Sequence, residues 1–281
     1  MIAENNSLTE KQILHFETFG FLVRRNVFSA EEVAKVNEEF DRRRASILAD
    51  IDPEEKRTFT QWPTRNPENP FTASLLADPR IYVPSEQLVG EDSVPVQSHC
   101  NSYGKNSGWH VDTYDRRLCV IKNIMYLRPT TADRGALRVI PGSHRNPLSE
   151  DLHSMGLYGF QDDASPFLKG SGMRGEDIPG YIFESEPGDI ITFNELTWHA
   201  AFGGYKDRRS LSYNFFTNPK TDDEIEAMKK IVENTPANTK GLGMVGLEYD
   251  SAWLENAQIN PRRARWVNWL EEWGFVDAFN N

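Results

Sequence analysis

Apolar residues at Ile13, Leu14, Phe16 and Phe19 follow an imperfect helical spacing after Leu8-Thr9-Glu10, and predict a helix that Gly20 ends. Phe21-Leu22-Val23 then reads as a short strand. Ser29-Ala30-Glu31-Glu32 has the form of a capping box: Ser29 accepts from a first-turn N–H and Glu32 reaches back. It opens a second helix that carries Val33, Val36 and Phe40 and runs to about residue 49. Residues 50–75 hold Pro53, Pro63, Pro67 and Pro70 among Asn, Thr and charged residues, and read as a long loop at the rim of a site.

Period-2 and continuously apolar runs take over from there. Strands are predicted over 93–103 and 118–127; the second, LCVIKNIMYL, is apolar nearly throughout and belongs in the middle of a sheet. Residues 135–140 form another strand, closed by the turn residues Pro141-Gly142-Ser143. Residues 146–180 show little periodicity and read as a loop-rich lid. Short strands follow over 181–185, 189–193 and 210–216, with Pro187-Gly188-Asp189 turning between the first two. Residues 221–234 return to a helix, acidic in its first turn and basic near its end, as the helix dipole prefers. Residues 252–276 read as helical and aromatic, packing over the strands. The pattern is mainly β with flanking helices, a sandwich or jelly roll.

With 281 residues and 38% hydrophobic content, we read one domain over 1–281. It has N-terminal helices in 1–50, a jelly-roll core in 90–218 and a helical segment in 219–281. The net charge of −11 argues against a nucleic-acid or anionic-membrane partner. The polar start MIAENNSLTEKQ has no secretory pattern, and no stretch approaches the roughly 18 apolar residues of a membrane span. Cys100 and Cys119 are too few for a disulfide framework, which points to a cytoplasmic, reducing compartment. The oligomeric state is not legible.

His110-Val111-Asp112, with His199 far downstream, supplies two imidazoles and one carboxylate. In an extended segment His110 and Asp112 point to the same face. Three such ligands with the remaining positions open suit Fe(II) better than Mg²⁺, which prefers oxygen, or structural Zn²⁺, which prefers a closed shell. His99 is the best substitute ligand. Further on, Arg208 and Ser210 share one face of a strand, and a guanidinium with a hydroxyl suits a carboxylate such as that of 2-oxoglutarate. Arg209 takes that role if the register slips by one residue.

Together these residues resemble the phytanoyl-CoA dioxygenase family, and within it the ectoine-hydroxylase-like members. The resemblance runs through LTEKQILHFETFGFLVRRNVFSAEEVAKV, Gly108-Trp109-His110-Val111-Asp112, GALRVIPGSH (135–144), Pro187-Gly188-Asp189, Trp198-His199 and Arg208-x-Ser210, in that order. It implies a double-stranded β-helix (cupin-like jelly roll) carrying Fe(II), with 2-oxoglutarate and O2 as co-substrates. His110, Asp112 and His199 would bind iron; Arg208 and Ser210 would hold the 2-oxoglutarate carboxylate. Gln97-Ser98-His99-Cys100-Asn101 is similar to a strand that would put Asn101 on 2-oxoglutarate and Gln97 on substrate. His144 would be a turn residue and not a ligand.

The implied reaction is hydroxylation of a small molecule with release of succinate and CO2. Desaturation, cyclisation or epimerisation would use the same set, and a jelly roll that only binds is the non-enzymatic alternative. Related halogenases carry a small residue where Asp112 stands, so the carboxylate favours hydroxylation. The segment TYDRRLCVIK after Asp112 departs from the ectoine enzyme's substrate strand. Rim candidates for substrate are Gln97, Trp109, Tyr114, Arg116, Arg117 and Lys122, three of them cationic.

Overall fold

The first helix, α1 (Glu10–Phe19), starts on a reciprocal capping box between Thr9 and Gln12. It ends at Gly20, whose φ of 81° only glycine adopts freely and whose N–H donates to the Phe16 carbonyl. That left-handed turn feeds the chain directly into strand β1 (Phe21–Arg24). The second helix, α2 (Ala30–Ala49), opens on the expected pair: the Ser29 N–H donates to Glu32 Oε2 at 2.8 Å and the Glu32 N–H to Ser29 Oγ at 3.2 Å. The computed structural model describes residues 6–49, 59–159, 165–204, 207–233 and 249–279.

The remaining strands are β2 (Phe59–Pro63), β3 (Val94–Tyr103), β4 (Ser107–His110), β5 (Val120–Tyr126), β6 (Leu137–Val139), β7 (Tyr181–Phe183), β8 (Ile190–Asn194), β9 (His199–Ala201) and β10 (Arg209–Phe216). They form two antiparallel sheets, ordered β1-β8-β5-β10-β3-β2 and β4-β9-β6-β7. From β3 to β10 the chain crosses between the sheets at every step but β6–β7, which is the winding of the double-stranded β-helix; β1 and β2 extend the first sheet. As expected, β5 is an inner strand, hydrogen-bonded to β8 and β10.

Strand periodicity separates core from site. On β10, Leu211, Tyr213 and Phe215 enter the main core, while Arg208 just before it and Ser210, Ser212 and Asn214 on it line a cavity. On β3, Val94, Val96 and Cys100 enter the core and His99, Asn101 and Tyr103 the cavity; on β5, Ile121 and Met125 enter the core and Lys122, Ile124 and Tyr126 the cavity. The outer core lies between this sheet and the helices, including Phe40 of α2 and Trp266 and Leu270 of the C-terminal helix Pro261–Glu272. Trp266 is fixed there by its ring N–H, which donates to the Ser93 carbonyl at 3.0 Å. Among the described residues no helix is long and apolar enough to cross a membrane.

Two expectations change. Part of 50–75 is not loop: β2 pairs with β3 as the sheet edge, with Pro63 at its end where no ladder N–H is needed. Helix α3 (Pro70–Ser74) follows it. Residues 50–58 lie outside the described residues. The stretch 146–180 contains helices α5 (Leu148–Ser154) and α6 (Pro166–Ser171), too short to show a helical period; residues 160–164 of it lie outside the described residues. Helix α4 (Pro79–Val89) had no counterpart in the sequence reading, because Pro84 sits inside it.

Candidate metal and co-substrate site

His110 and His199 face each other as cross-strand partners at the ends of β4 and β9, with ring centroids 4.1 Å apart. Each ring is oriented by a backbone carbonyl two residues earlier: His110 Nδ1 lies 2.7 Å from the Gly108 oxygen and His199 Nδ1 2.9 Å from the Thr197 oxygen. A carbonyl only accepts, so each Nδ1 carries the proton and each Nε2 presents a bare lone pair. Both lone pairs look toward Asp112, whose Oδ1 is 4.0 Å from His110 Nε2 and whose Oδ2 is 3.6 Å from His199 Nε2. Asp112 is placed by its own N–H, which donates to the Glu195 carbonyl at 3.0 Å and ties the end of β4 to the β8–β9 turn.

One ligand atom from each of the three lies within 4.8 Å of the others, and this is the sole such His/Cys/Asp/Glu group among the described residues. The donor set fits Fe(II): two neutral nitrogens, one anionic oxygen and an open side. Burial, and then His199, push the His110 pKa down to about 3. Burial lowers His199 as well, so both rings are neutral at physiological pH without having to lose a proton to a metal. Burial opposes a charge on Asp112, but the Lys122 ammonium and the two imidazoles together outweigh it and hold the carboxyl well below the usual range.

The triad opens on a cavity of 180 Å³ whose lining includes Arg208, Ser210, Asn101 and Tyr103 together with Lys122, Asn214, His99 and Gln61. Ser210 is in register with Asn101 on one side and Tyr126 on the other, so the cofactor-binding residues expected from sequence meet on adjacent strands. Arg208 faces the cavity. It is braced by three carbonyls: Nε donates to Tyr103 at 3.1 Å, Nη1 to Gly135 at 3.2 Å and Nη2 to Lys105 at 2.8 Å. Arg209 faces away, donating to Asp41 Oδ1 at 2.6 Å and to Asp207.

The brace explains the first glycine of GALRVIPGSH. Gly135 has φ +71°, and a Cβ there would stand 2.7 Å from Arg208 Cδ. Gly135→Ala therefore costs about 1–2 kcal/mol in backbone strain and displaces the guanidinium. We expect the 2-oxoglutarate KM of that variant to rise about tenfold, measured by succinate release. An unchanged KM would disconnect Gly135 from Arg208.

The substrate candidates divide. Lys122 lines the cavity, and Gln97 lies deeper on the same face of β3, opposite Asn214. Trp109 is not at the rim: it is fully buried in a second core with Trp198 and Phe202, its ring N–H donating to Gly175 at 2.8 Å. Arg117 is spent at the surface on Asp115 and Asp223, and Arg116 donates to the His144 carbonyl at 2.8 Å. Tyr114 is exposed beside His153 and Tyr158 and does not line the cavity. His144 packs as a turn residue, its Nε2 3.1 Å from the Glu17 oxygen.

Sequence reasoning missed Glu195. It is buried, its Oε1 accepts from Asn214 Nδ2 at 2.6 Å, and Lys122 Nζ lies 3.6 Å from the same atom. Burial pushes its pKa up to about 7, against the pull of Lys122. The available signal was a lone acid just beyond the uncharged strand Ile190–Asn194.

The family model for phytanoyl-CoA dioxygenase matches residues 16–210. An ectoine dioxygenase of Sphingopyxis alaskensis is 27% identical over 245 residues, 75% of this chain and 77% of that one. Among solved structures, HygX of Streptomyces hygroscopicus, with nickel and 2-oxoglutarate bound, superposes with a TM-score of 0.56 at 20% identity, over 74% of this chain and 87% of that one. The epimerase SnoN of nogalamycin biosynthesis gives 0.52 at 16% identity, over 73% of this chain and 79% of that one.

Proposed function

The chain belongs to the phytanoyl-CoA dioxygenase family, and from that premise we propose that His110, Asp112 and His199 hold its iron and that Arg208, Ser210 and Asn101 hold its 2-oxoglutarate. The chain is a non-haem iron, 2-oxoglutarate-dependent dioxygenase. Iron held by these three residues would supply the oxygen chemistry that turns 2-oxoglutarate into succinate and CO2 and places one oxygen atom on a substrate carbon. The chain's residues supply order. The Gly108 and Thr197 carbonyls fix the imidazoles. The braced Arg208 presents its two remaining N–H groups to the far carboxylate, and Ser210 adds a hydroxyl. Ile124, Leu137 and Phe193 give the cavity an apolar lining that helps keep water from the reacting centre.

The observation that carries this reading is the convergence of two carbonyl-oriented, neutral imidazoles on one carboxylate at the wall of a cavity that an arginine also lines. The substrate is a small molecule, and hydroxylation is the expected outcome; desaturation, cyclisation and epimerisation remain open to the same ferrous site. We place the protein in the cytoplasm, in keeping with free thiols at Cys100 and Cys119.

The test is succinate release from purified protein given Fe(II), 2-oxoglutarate, oxygen and a metabolite extract, with a mass-spectrometric search for a product 16 mass units heavier. Succinate formed in step with such a product is the expected result. Binding of iron and 2-oxoglutarate with no succinate from any extract would leave only the binding-protein alternative.

A further inference from the structure

Lys122 stands in the middle of an inner strand whose neighbours in the run LCVIKNIMYL are almost all apolar. An ammonium there is costly unless it is paired. Its Nζ donates to Asp112 Oδ2 at 2.6 Å and lies 3.6 Å from Glu195 Oε1, which Asn214 fixes from the far side at 2.6 Å. The Phe193 ring lies 5.8 Å from the same nitrogen. The ammonium is thus aimed, by strand and side chains together, at one oxygen of the metal carboxylate. The side chains of Asp112 and Lys122 keep 16% and 17% exposure, so the contact sits at the cavity wall, where a metal would meet it.

A six-coordinate ion held by three protein atoms would keep three positions open for 2-oxoglutarate and oxygen. A carboxylate that closes on the metal with both oxygens removes one of them. An ammonium on Oδ2 opposes that closure, by taking a lone pair of that oxygen in a charge-assisted bond and by repelling a second cation from it.

We propose that Lys122 is a positioning residue that confines Asp112 to one-oxygen coordination, with Glu195 and Asn214 holding Lys122 in place, so that 2-oxoglutarate and oxygen keep their positions. This deepens, and rests on, the iron reading of the triad.

The test is an anaerobic titration of wild type, Lys122→Met and Lys122→Arg, first with Fe(II) and then with 2-oxoglutarate, following the visible charge-transfer band of the loaded protein. K122M binds one Fe(II) at least as tightly as wild type, yet its 2-oxoglutarate affinity falls about tenfold and its band weakens or shifts. K122R restores both. A double variant, Lys122→Met with Glu195→Gln, removes both buried charges and gives the same split if K122M alone does not fold. A merely structural lysine would weaken metal and 2-oxoglutarate together. That parallel loss, or wild-type affinity and band in the variants, overturns the proposal. Wild type that binds neither Fe(II) nor 2-oxoglutarate would instead overturn the iron reading itself.

Discussion

Asp112→Ala is expected to lower substrate-coupled succinate release by at least about 10³-fold, since even the outer partners of metal ligands are worth 10–100-fold. Asp112 is the one carboxylate in the convergent set. It also neutralises the Lys122 ammonium 2.6 Å away. Its loss leaves two neutral imidazoles beside an ammonium whose remaining acidic neighbour is Glu195 at 3.6 Å. A divalent cation then meets a site with one ligand fewer and one negative charge fewer beside the ammonium, and two effects act in the same direction. Asp112→Asn separates them: the amide oxygen still accepts from Lys122, but the anionic ligand is gone. Both variants should lose iron in a ferrous titration; D112A should also lower the melting temperature, because it leaves the Lys122 ammonium with Glu195 alone at 3.6 Å, whereas D112N keeps an acceptor for it. His199→Ala should be as inactive, because it removes the imidazole paired across the strands with His110. Product formation near the wild-type rate by D112A or H199A would remove iron from these residues.

What the sequence made legible follows the range over which each signal acts. Thr9, Gly20, Ser29 and Glu32 work through bonds to residues three or four away, and the three helix boundaries they mark are where their spacing puts them. Ser210 facing Asn101 needed only the period of two and the right register. The edge strand β2 was hidden because its partner, β3, lies more than thirty residues away and its own prolines spell loop. Trp109 illustrates the limit of reading proximity from sequence. It adjoins His110, yet alternation along β4 sends it to the opposite face and into the core with Trp198. Arg117 was placed at the rim because it is close in sequence to Asp112, but its neighbours Asp115 and Asp223 claim it at the surface. Glu195 and Lys122 meet only because β5 and β8 lie side by side. No local pattern records that pairing.

Arg208→Ala is expected to raise the 2-oxoglutarate KM about 100-fold, whereas Arg209→Ala leaves it within about twofold. The adjacent arginines differ in the face they occupy. Three of the five N–H groups of Arg208 are taken by the carbonyls of Tyr103, Gly135 and Lys105. The two that remain, one on each Nη, are enough for a forked bond to one carboxylate. Two charge-assisted bonds contribute about 3 kcal/mol, which is the 100-fold. The Tyr103 ring, 5.0 Å from the guanidinium carbon, completes its seat. Arg209 spends its donors on Asp41 and Asp207 and lies 5.1 Å from the Phe40 ring, so its removal loosens α2 on the sheet. R209A should therefore lower the melting temperature and not the affinity. Because R208A also frees three carbonyls, its own stability will fall, and comparison with R209A separates that from lost binding. Arg208→Lys should recover only part of the affinity, since a lysine offers a point charge and no fork. Steady-state succinate release against 2-oxoglutarate concentration reads all three. A large KM change in R209A with none in R208A would mean that β10 presents the opposite face to the cavity.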